Sequence, residues 1–238
     1  MKRIGIVMVW GLMAAACRAE VPDEARWAAM KERMIQIDLM GRGIRNPAVL
    51  EAMRSVPRHE FVPEEQRPWA YGDHPLPIGE GQTISQPYIV AAMTELLDPQ
   101  PDHVVFEVGT GSGYQAAILA GLVREVYTVE IVPGLGERSA ELLARLGYTN
   151  VVVRVGDGYA GWPEHAPFDG IIVTCGAERI PQPLVEQLKP GGRMVIPVGP
   201  YHQVQDLMVV EKDENGEVTT RSVMAVRFVP MTGEAMAP

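Results

Sequence analysis

Cysteine is almost absent from this chain: Cys17 and Cys175 are the only two among 238 residues, which excludes a framework of disulfides. Basic charge is also short. Against 30 acidic residues stand 21 lysines and arginines, a net charge of −9, so affinity built on neutralising the phosphates of a nucleic acid is not expected. The five histidines, His59, His74, His103, His165 and His202, are scattered and form no Cys/His cluster at metal-ligand spacing, so no metal is expected. There is no internal repeat and no low-complexity tract. The apolar run Ile4 to Ala16 is too short to cross a bilayer, and no membrane span is expected.

That run still carries information. Lys2 and Arg3 precede it and small residues follow, the layout of an export signal over residues 1–19. Cleavage after Ala19 puts Cys17 and Ala19 at the two positions the peptidase inspects. Cleavage before Cys17 would give a lipid-anchored protein, but Ala14 stands where an apolar branched residue is usual. Loss of the leader removes Lys2, Arg3 and Arg18 and no acid, so 18 basic residues face 30 acidic ones and the net charge falls to −12. The expected location is periplasmic or secreted; the alternative is an N-terminal extension on a cytoplasmic protein. Cys175, in the apolar stretch from Gly170 to Gly176, is expected to pack in the core.

The length suits one well-filled domain. Residues 20–80 read as a helical segment and connector and residues 81–238 as a cofactor-binding domain, the whole of 20–238 forming one catalytic unit, expected to be a monomer. Trp27, Met30, Met34, Ile37 and Met40 recur at helical spacing over Asp23 to Met40 and predict a helix with these side chains inward. Asn46-Pro47 opens a second helix with Val49, Leu50 and Met53, closed at Ser55-Val56-Pro57. An irregular proline-rich connector is expected from Pro57 to Pro77. From residue 86 the chain alternates: helices at 86–97, 114–122, 135–146 and 184–188, strands at 104–108, 125–129, 151–155, 170–174 and 193–198. Short β-branched runs between helices predict an α/β fold with a doubly wound, mostly parallel sheet. Strands at 206–211 and 223–229, joined through Asn215-Gly216, predict a closing antiparallel pair.

Three glycines, Gly109, Gly111 and Gly113, follow the strand Val104 to Val108 and let backbone approach a ligand closely. A dinucleotide loop needs a glycine three residues beyond Gly111, where Tyr114 stands, and this counts against a nicotinamide dehydrogenase. Glu107, just before the loop, would repel a pyrophosphate but suit a cation, which points to S-adenosylmethionine. Glu130 ends the second strand, placed to hold both hydroxyls of a ribose, and Asp157, before Gly158, to accept from an adenine amino group.

Four segments, Gly81-Gln-Thr-Ile-Ser-Gln-Pro87, Glu107-Val-Gly-Thr-Gly-Ser-Gly-Tyr114, Gly156-Asp-Gly158 and Leu188-Lys-Pro-Gly-Gly-Arg-Met-Val-Ile-Pro-Val-Gly199, together resemble the protein-L-isoaspartate O-methyltransferase family. Arg42-Gly-Ile44 and Val56-Pro-Arg-His-Glu-Phe61 resemble it too. The likeness runs from about residue 30 to Thr232. Its glycine loop and Leu-Lys-Pro-Gly-Gly turn mark only the S-adenosylmethionine methyltransferase superfamily; Thr83 to Pro87 mark the family. The resemblance implies a Rossmann-like methyltransferase sheet with an antiparallel C-terminal pair and an N-terminal helical extension. It implies methyl transfer from S-adenosylmethionine to the α-carboxylate of L-isoaspartyl residues in damaged proteins or peptides, with repair through a succinimide. Carried over by position, Ser85 is the active-site residue. Gln82, Thr83 and Ile84 line cofactor and substrate, Glu107, Glu130, Asp157 and Gly158 hold the cofactor, and Thr232 with Thr83 and Ser85 meets the substrate. Family members are typically intracellular, and the export signal departs from that.

The substrate carboxylate, with an unperturbed pKa of about 3.5 to 4, is ionised at neutral pH, so no general base is required. Ser85 then acts by orienting an anion near a helix start. Its other reading is an ordinary N-cap of the helix ending at Leu97. Two further alternatives are a methyltransferase for a small carboxylate or other metabolite, told apart by whether peptide or metabolite is labelled, and an inactive cofactor-binding scaffold.

Overall fold

A computed structural model describes residues 23–236; the expected leader, with Cys17, lies outside the described residues. The first helix, α1 (Asp23–Arg33), runs on into a π-helical turn, Met34–Leu39, and a 3₁₀ turn, Met40–Arg42. The wider π turn steps five residues at a time. It buries Met34, Ile35 and Leu39 on one line and swings Ile37, expected inside, out to 58% exposure. The helix α2 (Pro47–Ser55) starts at Asn46, whose Oδ1 accepts the N–H groups of Ala48 and Val49, and buries Val49, Leu50 and Met53.

The connector is more ordered than expected. It holds two 3₁₀ turns, Arg58–Phe61 and Glu64–Trp69, and ends in an antiparallel hairpin of β1 (Leu76–Gly79) and β2 (Gln82–Ile84). The segment with the family signature is therefore half strand, followed directly by α3 (Pro87–Leu97).

Beyond it come β3 (Val104–Val108), α4 (Tyr114–Ala120), β4 (Glu125–Glu130), α5 (Pro133–Arg145), β5 (Val151–Val155), β6 (Phe168–Val173), α6 (Gln182–Gln187), β7 (Leu188–Val198), β8 (Gln205–Lys212) and β9 (Val218–Val226). The seven-stranded sheet has the order β5-β4-β3-β6-β7-β8-β9. Its pairs are parallel from β5 to β7 and antiparallel for the last two. The strand order reverses between β3 and β6, where sheets of this kind open a crevice at the carboxyl ends. Val108 pairs with both Val129 and Val173, so three strands end together there.

Alternate residues of the strands feed two apolar layers. Val105, Val126, Ile172 and Val195 join Met34, Met53 and Ile118 on one face, so the N-terminal helices share a core with the sheet. Phe106, Phe168, Ile171, Leu184 and Met194 fill the other, with the two phenyl rings stacked at 5.0 Å. The last strand begins five residues earlier than expected and stops at Val226. Pairing starts at Lys212–Val218, directly after the turn, and carries the exposed run Val218 to Ser222. Such an edge strand has no apolar alternation to announce it.

Candidate active site

At the crevice the chain leaves β3 through Gly109, Gly111 and Gly113, at φ +96°, +55° and +84°. The N–H groups of Gly109 and Thr110 donate to the Val129 carbonyl oxygen at 2.9 and 3.2 Å. The Thr174 hydroxyl, past the end of β6, donates to the carbonyl oxygen of Gly109 at 2.6 Å. A Cβ on Gly109 would lie 2.6 Å from that hydroxyl oxygen, so the closeness itself requires glycine.

Glu130, the last residue of β4, turns into the crevice. Its Oε2 accepts the Gly111 N–H at 2.7 Å and its Oε1 the Val132 N–H at 2.9 Å, leaving one lone pair on each oxygen. Asp157, two residues past β5, accepts from Tyr159 N at 2.8 Å and, through Oδ2, from Glu234 N at 2.7 Å. A Cβ on Gly158 would meet Val108 Cγ1 at 2.6 Å.

These groups wall a cavity with about 820 Å³ of empty space. Of the residues singled out in the sequence, Gln82, Thr83, Ile84, Ser85, Gly109, Gly111, Glu130, Asp157, Gly158 and Thr232 line it. Gly113 and Glu107 are not among its lining residues. Gly113 instead serves as the N-cap of α4. Glu107 is fully buried, one residue before the end of β3 rather than beyond it, and its Oε2 accepts the Thr128 hydroxyl at 2.5 Å. The Thr128 oxygen lies 2.7 Å from the Thr110 hydroxyl, so a buried polar chain runs from Glu107 to the cavity wall. Oε1 of Glu107 has no partner among the described residues. Burial pushes its carboxyl up to about 8, the Thr128 hydrogen bond opposing and the Glu130 charge adding.

Ser85 stands between β2 and α3. It is not the cap of that helix: Gln86 takes the N-cap position, with no side-chain cap bond. The capping is done from a distance by Asp73. Its Oδ1 accepts the Tyr88 N–H at 3.0 Å and its Oδ2 both Gln86 Nε2 at 2.8 Å and Arg42 Nη1 at 2.6 Å. This removes one main-chain donor from those expected for an anion at the helix start. The Ser85 hydroxyl is left over: among the described residues neither it nor the hydroxyls of Thr83 and Thr232 makes a hydrogen bond, whereas those of Thr94, Thr110, Thr128, Thr174 and Ser139 all do. Ser85 is placed by its main chain, whose carbonyl oxygen accepts from the buried Arg58.

Several lining residues had no sequence signal beyond position: Thr174, Tyr114, Gln115 and Met231. Cys175, expected to pack in the core, is half-buried: it packs against the layer of Phe106 and Phe168 and also reaches the cavity wall, its thiol pushed up to about 12 by burial, with the charges of Glu130 and Asp157 adding. Thr232 arrives because the chain after β9 runs back beside β6, with Gly176 N donating to Val229 O at 2.8 Å and Met231 N to Gly176 O at 2.7 Å. A larger groove, with about 2060 Å³ of empty space, opens from the cavity and shares Gln82, Thr83, Ser85, Thr174, Val229, Pro230 and Thr232 with it. The donor set fits S-adenosylmethionine: a glycine cradle for close approach, two strand-end carboxylates with spare lone pairs for hydroxyl and amino groups, and anions facing a cationic ligand.

Among known proteins, the sequence model of the family described as Protein-L-isoaspartate(D-aspartate) O-methyltransferase matches residues 29–236. A relative from Syntrophobacter fumaroxidans, named Protein-L-isoaspartate O-methyltransferase 2, is 56% identical over 224 residues, 94% of this chain and 87% of that one. Another of the same name, from Nitrosococcus oceani, is 60% identical over 190 residues, covering 80% and 86%. Among solved structures, a protein-L-isoaspartate O-methyltransferase superposes with a TM-score of 0.77 at 28% identity, over 86% of this chain and 67% of that one. A protein described as a putative member from Plasmodium falciparum, in complex with S-adenosyl-L-homocysteine, gives 0.73 at 26%, over 85% and 98%.

Proposed function

Since this chain belongs to the protein-L-isoaspartate O-methyltransferase family and transfers a methyl group from S-adenosylmethionine to the α-carboxylate of L-isoaspartyl residues in damaged proteins, we propose that Ser85 is the residue that orients that carboxylate. The observation that carries this is the unengaged hydroxyl of Ser85 at the junction of cavity and groove. When bound, S-adenosylmethionine supplies a methyl group made electrophilic by its sulfonium. Everything else falls to the chain.

The nucleophile comes ionised with the substrate, so no residue has to remove a proton. What is required is alignment, which in well-oriented reactions accounts for about 7–11 kcal/mol of a barrier. Ser85 donates to one carboxylate oxygen, and Thr83 and Thr232 are the neighbouring hydroxyls that meet the same group. Glu130 holds ribose hydroxyls on its spare lone pairs, Asp157 with Gly158 holds the adenine, and Gly109 and Gly111 let backbone lie against the ligand. Gln82 and Ile84 close the side toward β2. Glu107 and Gly113 act from behind, Glu107 by fixing Thr128 and through it Thr110, Gly113 by starting α4. Residues 20–238 work as one catalytic unit, a reading supported by the core that the N-terminal helices share with the sheet. Residues 1–19 are read as an export signal on the strength of Lys2, Arg3 and the apolar run, which fits a periplasmic repair enzyme. No helix of the described residues is long and apolar enough to cross a membrane.

The test uses radiolabelled S-adenosylmethionine and a pair of peptides that differ only in an isoaspartyl or an aspartyl residue. Label is expected in the first alone; equal label in both overturns the reading. Sequencing the N-terminus of the protein from fractionated cells decides the leader, with Glu20 as the expected first residue.

A further inference from the structure

We infer that the groove beside the cavity receives the polypeptide flanking the isoaspartyl residue, and that Arg227 makes it select segments with acidic side chains. The inference rests on the peptide-methylating reading above and adds to it a class of substrate sequence.

The groove's location supplies the first argument. Ser85, Thr83 and Thr232 belong to both spaces, so the free α-carboxylate that branches off the chain at an isoaspartyl residue, delivered to them from the groove, brings the flanking polypeptide along the groove floor. One wall is the consecutive run from Met224 to Pro230, which comprises the end of β9 and the four residues beyond it. As the last strand of the sheet, β9 has one edge without a strand partner among the described residues, and unpaired N–H and C=O groups on an open edge accept extended polypeptide.

Charge supplies the second. The protein carries a net charge of −9, yet no aspartate or glutamate is among the residues lining the groove; its ionisable side chains are Arg42, Arg227 and His202, with Tyr88 beside them. Arg42 is already neutralised by Asp73 at 2.6 Å and lies over the Tyr88 ring, 3.5 Å from its centroid. Arg227 is different. It is exposed and makes no ion pair or hydrogen bond through its side chain among the described residues, so its positive charge is available to an entering peptide. Val204, 53% exposed, and the half-buried Phe228 add apolar surface beside it.

The effect of one exposed charge pair is small, about two- to five-fold in KM. It is measurable as a ratio. Two isoaspartyl peptides, identical except for glutamate or lysine on both sides of the isoaspartyl residue, are compared with the wild type, Arg227→Gln and Arg227→Glu. The wild type is expected to have the lower KM for the glutamate peptide, Arg227→Gln to lose the distinction and Arg227→Glu to reverse it, with the ratio shrinking as salt is raised. S-adenosyl-L-homocysteine affinity equal to wild type certifies that each variant is folded. Equal KM values for both peptides in the wild type, or an unchanged ratio in Arg227→Glu, overturn the inference while leaving the methyltransferase reading intact. Label in neither peptide overturns both.

Discussion

Arg58, which solvent does not reach, donates from Nη2 to the main-chain carbonyl oxygen of Ser85 at 2.7 Å. Its Nε donates to the carbonyl oxygen of Ala70, also at 2.7 Å, and its guanidinium sits 4.7 Å from the centroid of the Tyr114 ring on the cavity wall. One buried cation thus ties the connector, the residue carrying the unengaged hydroxyl and the start of α4. Replacing it with methionine leaves the buried Ala70 carbonyl without its donor, at about 1–3 kcal/mol, and releases the part-buried Ser85 carbonyl. Arg58→Met is therefore expected to lower the urea midpoint and raise the KM for an isoaspartyl peptide, and Arg58→Lys to recover part of both. Wild-type stability in Arg58→Met contradicts this.

Ser85→Ala removes a hydroxyl that holds nothing in the free protein. Stability is expected to change little. If the hydroxyl donates to the substrate carboxylate, a hydrogen bond to a charged group is worth about 1.5–3 kcal/mol, or about 10- to 160-fold in kcat/KM. Affinity for S-adenosyl-L-homocysteine, measured by calorimetry, is expected to stay at the wild-type value; a parallel loss of both would assign Ser85 to the cofactor instead.

Glu107 gives the fold a pH dependence. Its carboxyl is raised from 4.5 to about 8 by burial, so the folded state keeps a proton that the unfolded chain releases. The stability this contributes is complete below about pH 4.5 and is lost as pH rises toward 8. Glu107→Gln cannot ionise. Its unfolding free energy, compared with wild type in denaturant titrations from pH 5 to 8, is expected to gain steadily on the wild type; a constant difference across that range refutes the assignment.

Asp73 caps α3 without being next to it. Asp73→Ala is expected to cost about 0.5–2 kcal/mol, the usual effect of losing a helix cap, and to free Arg42. Thermal unfolding measures the loss. Ser85→Ala, which removes no cap, serves as the comparison.

The parallel strands are legible because their apolar runs are short, rich in β-branched residues and set between helices, and Glu130 and Asp157 because they stand at or past strand ends. The place of Glu107 behind the cavity wall is not legible. In a strand buried on both faces no alternation tells which way a side chain turns, and one residue decides whether an acid reaches the crevice or the core. Ile37 leaves its predicted face because a single π turn, invisible in composition, shifts the register. Asp73 has no local signal, and Arg58 stands in a segment that resembles the family without its role being readable there: their partners lie 15 and 27 residues away. The antiparallel pair is readable from Asn215-Gly216, but the start of β9 is not, since its solvent-exposed residues carry no pattern.

The walls held in common by cavity and groove give the two affinities a shared point of coupling. Gln82, Thr83, Ser85 and Thr232 line both spaces. By linkage, the factor by which bound S-adenosyl-L-homocysteine changes the affinity for peptide equals the factor by which peptide changes the affinity for S-adenosyl-L-homocysteine. The demethylated cofactor then acts as more than a competitor: whatever it does to the hold on the methylated segment, that segment does to it in equal measure.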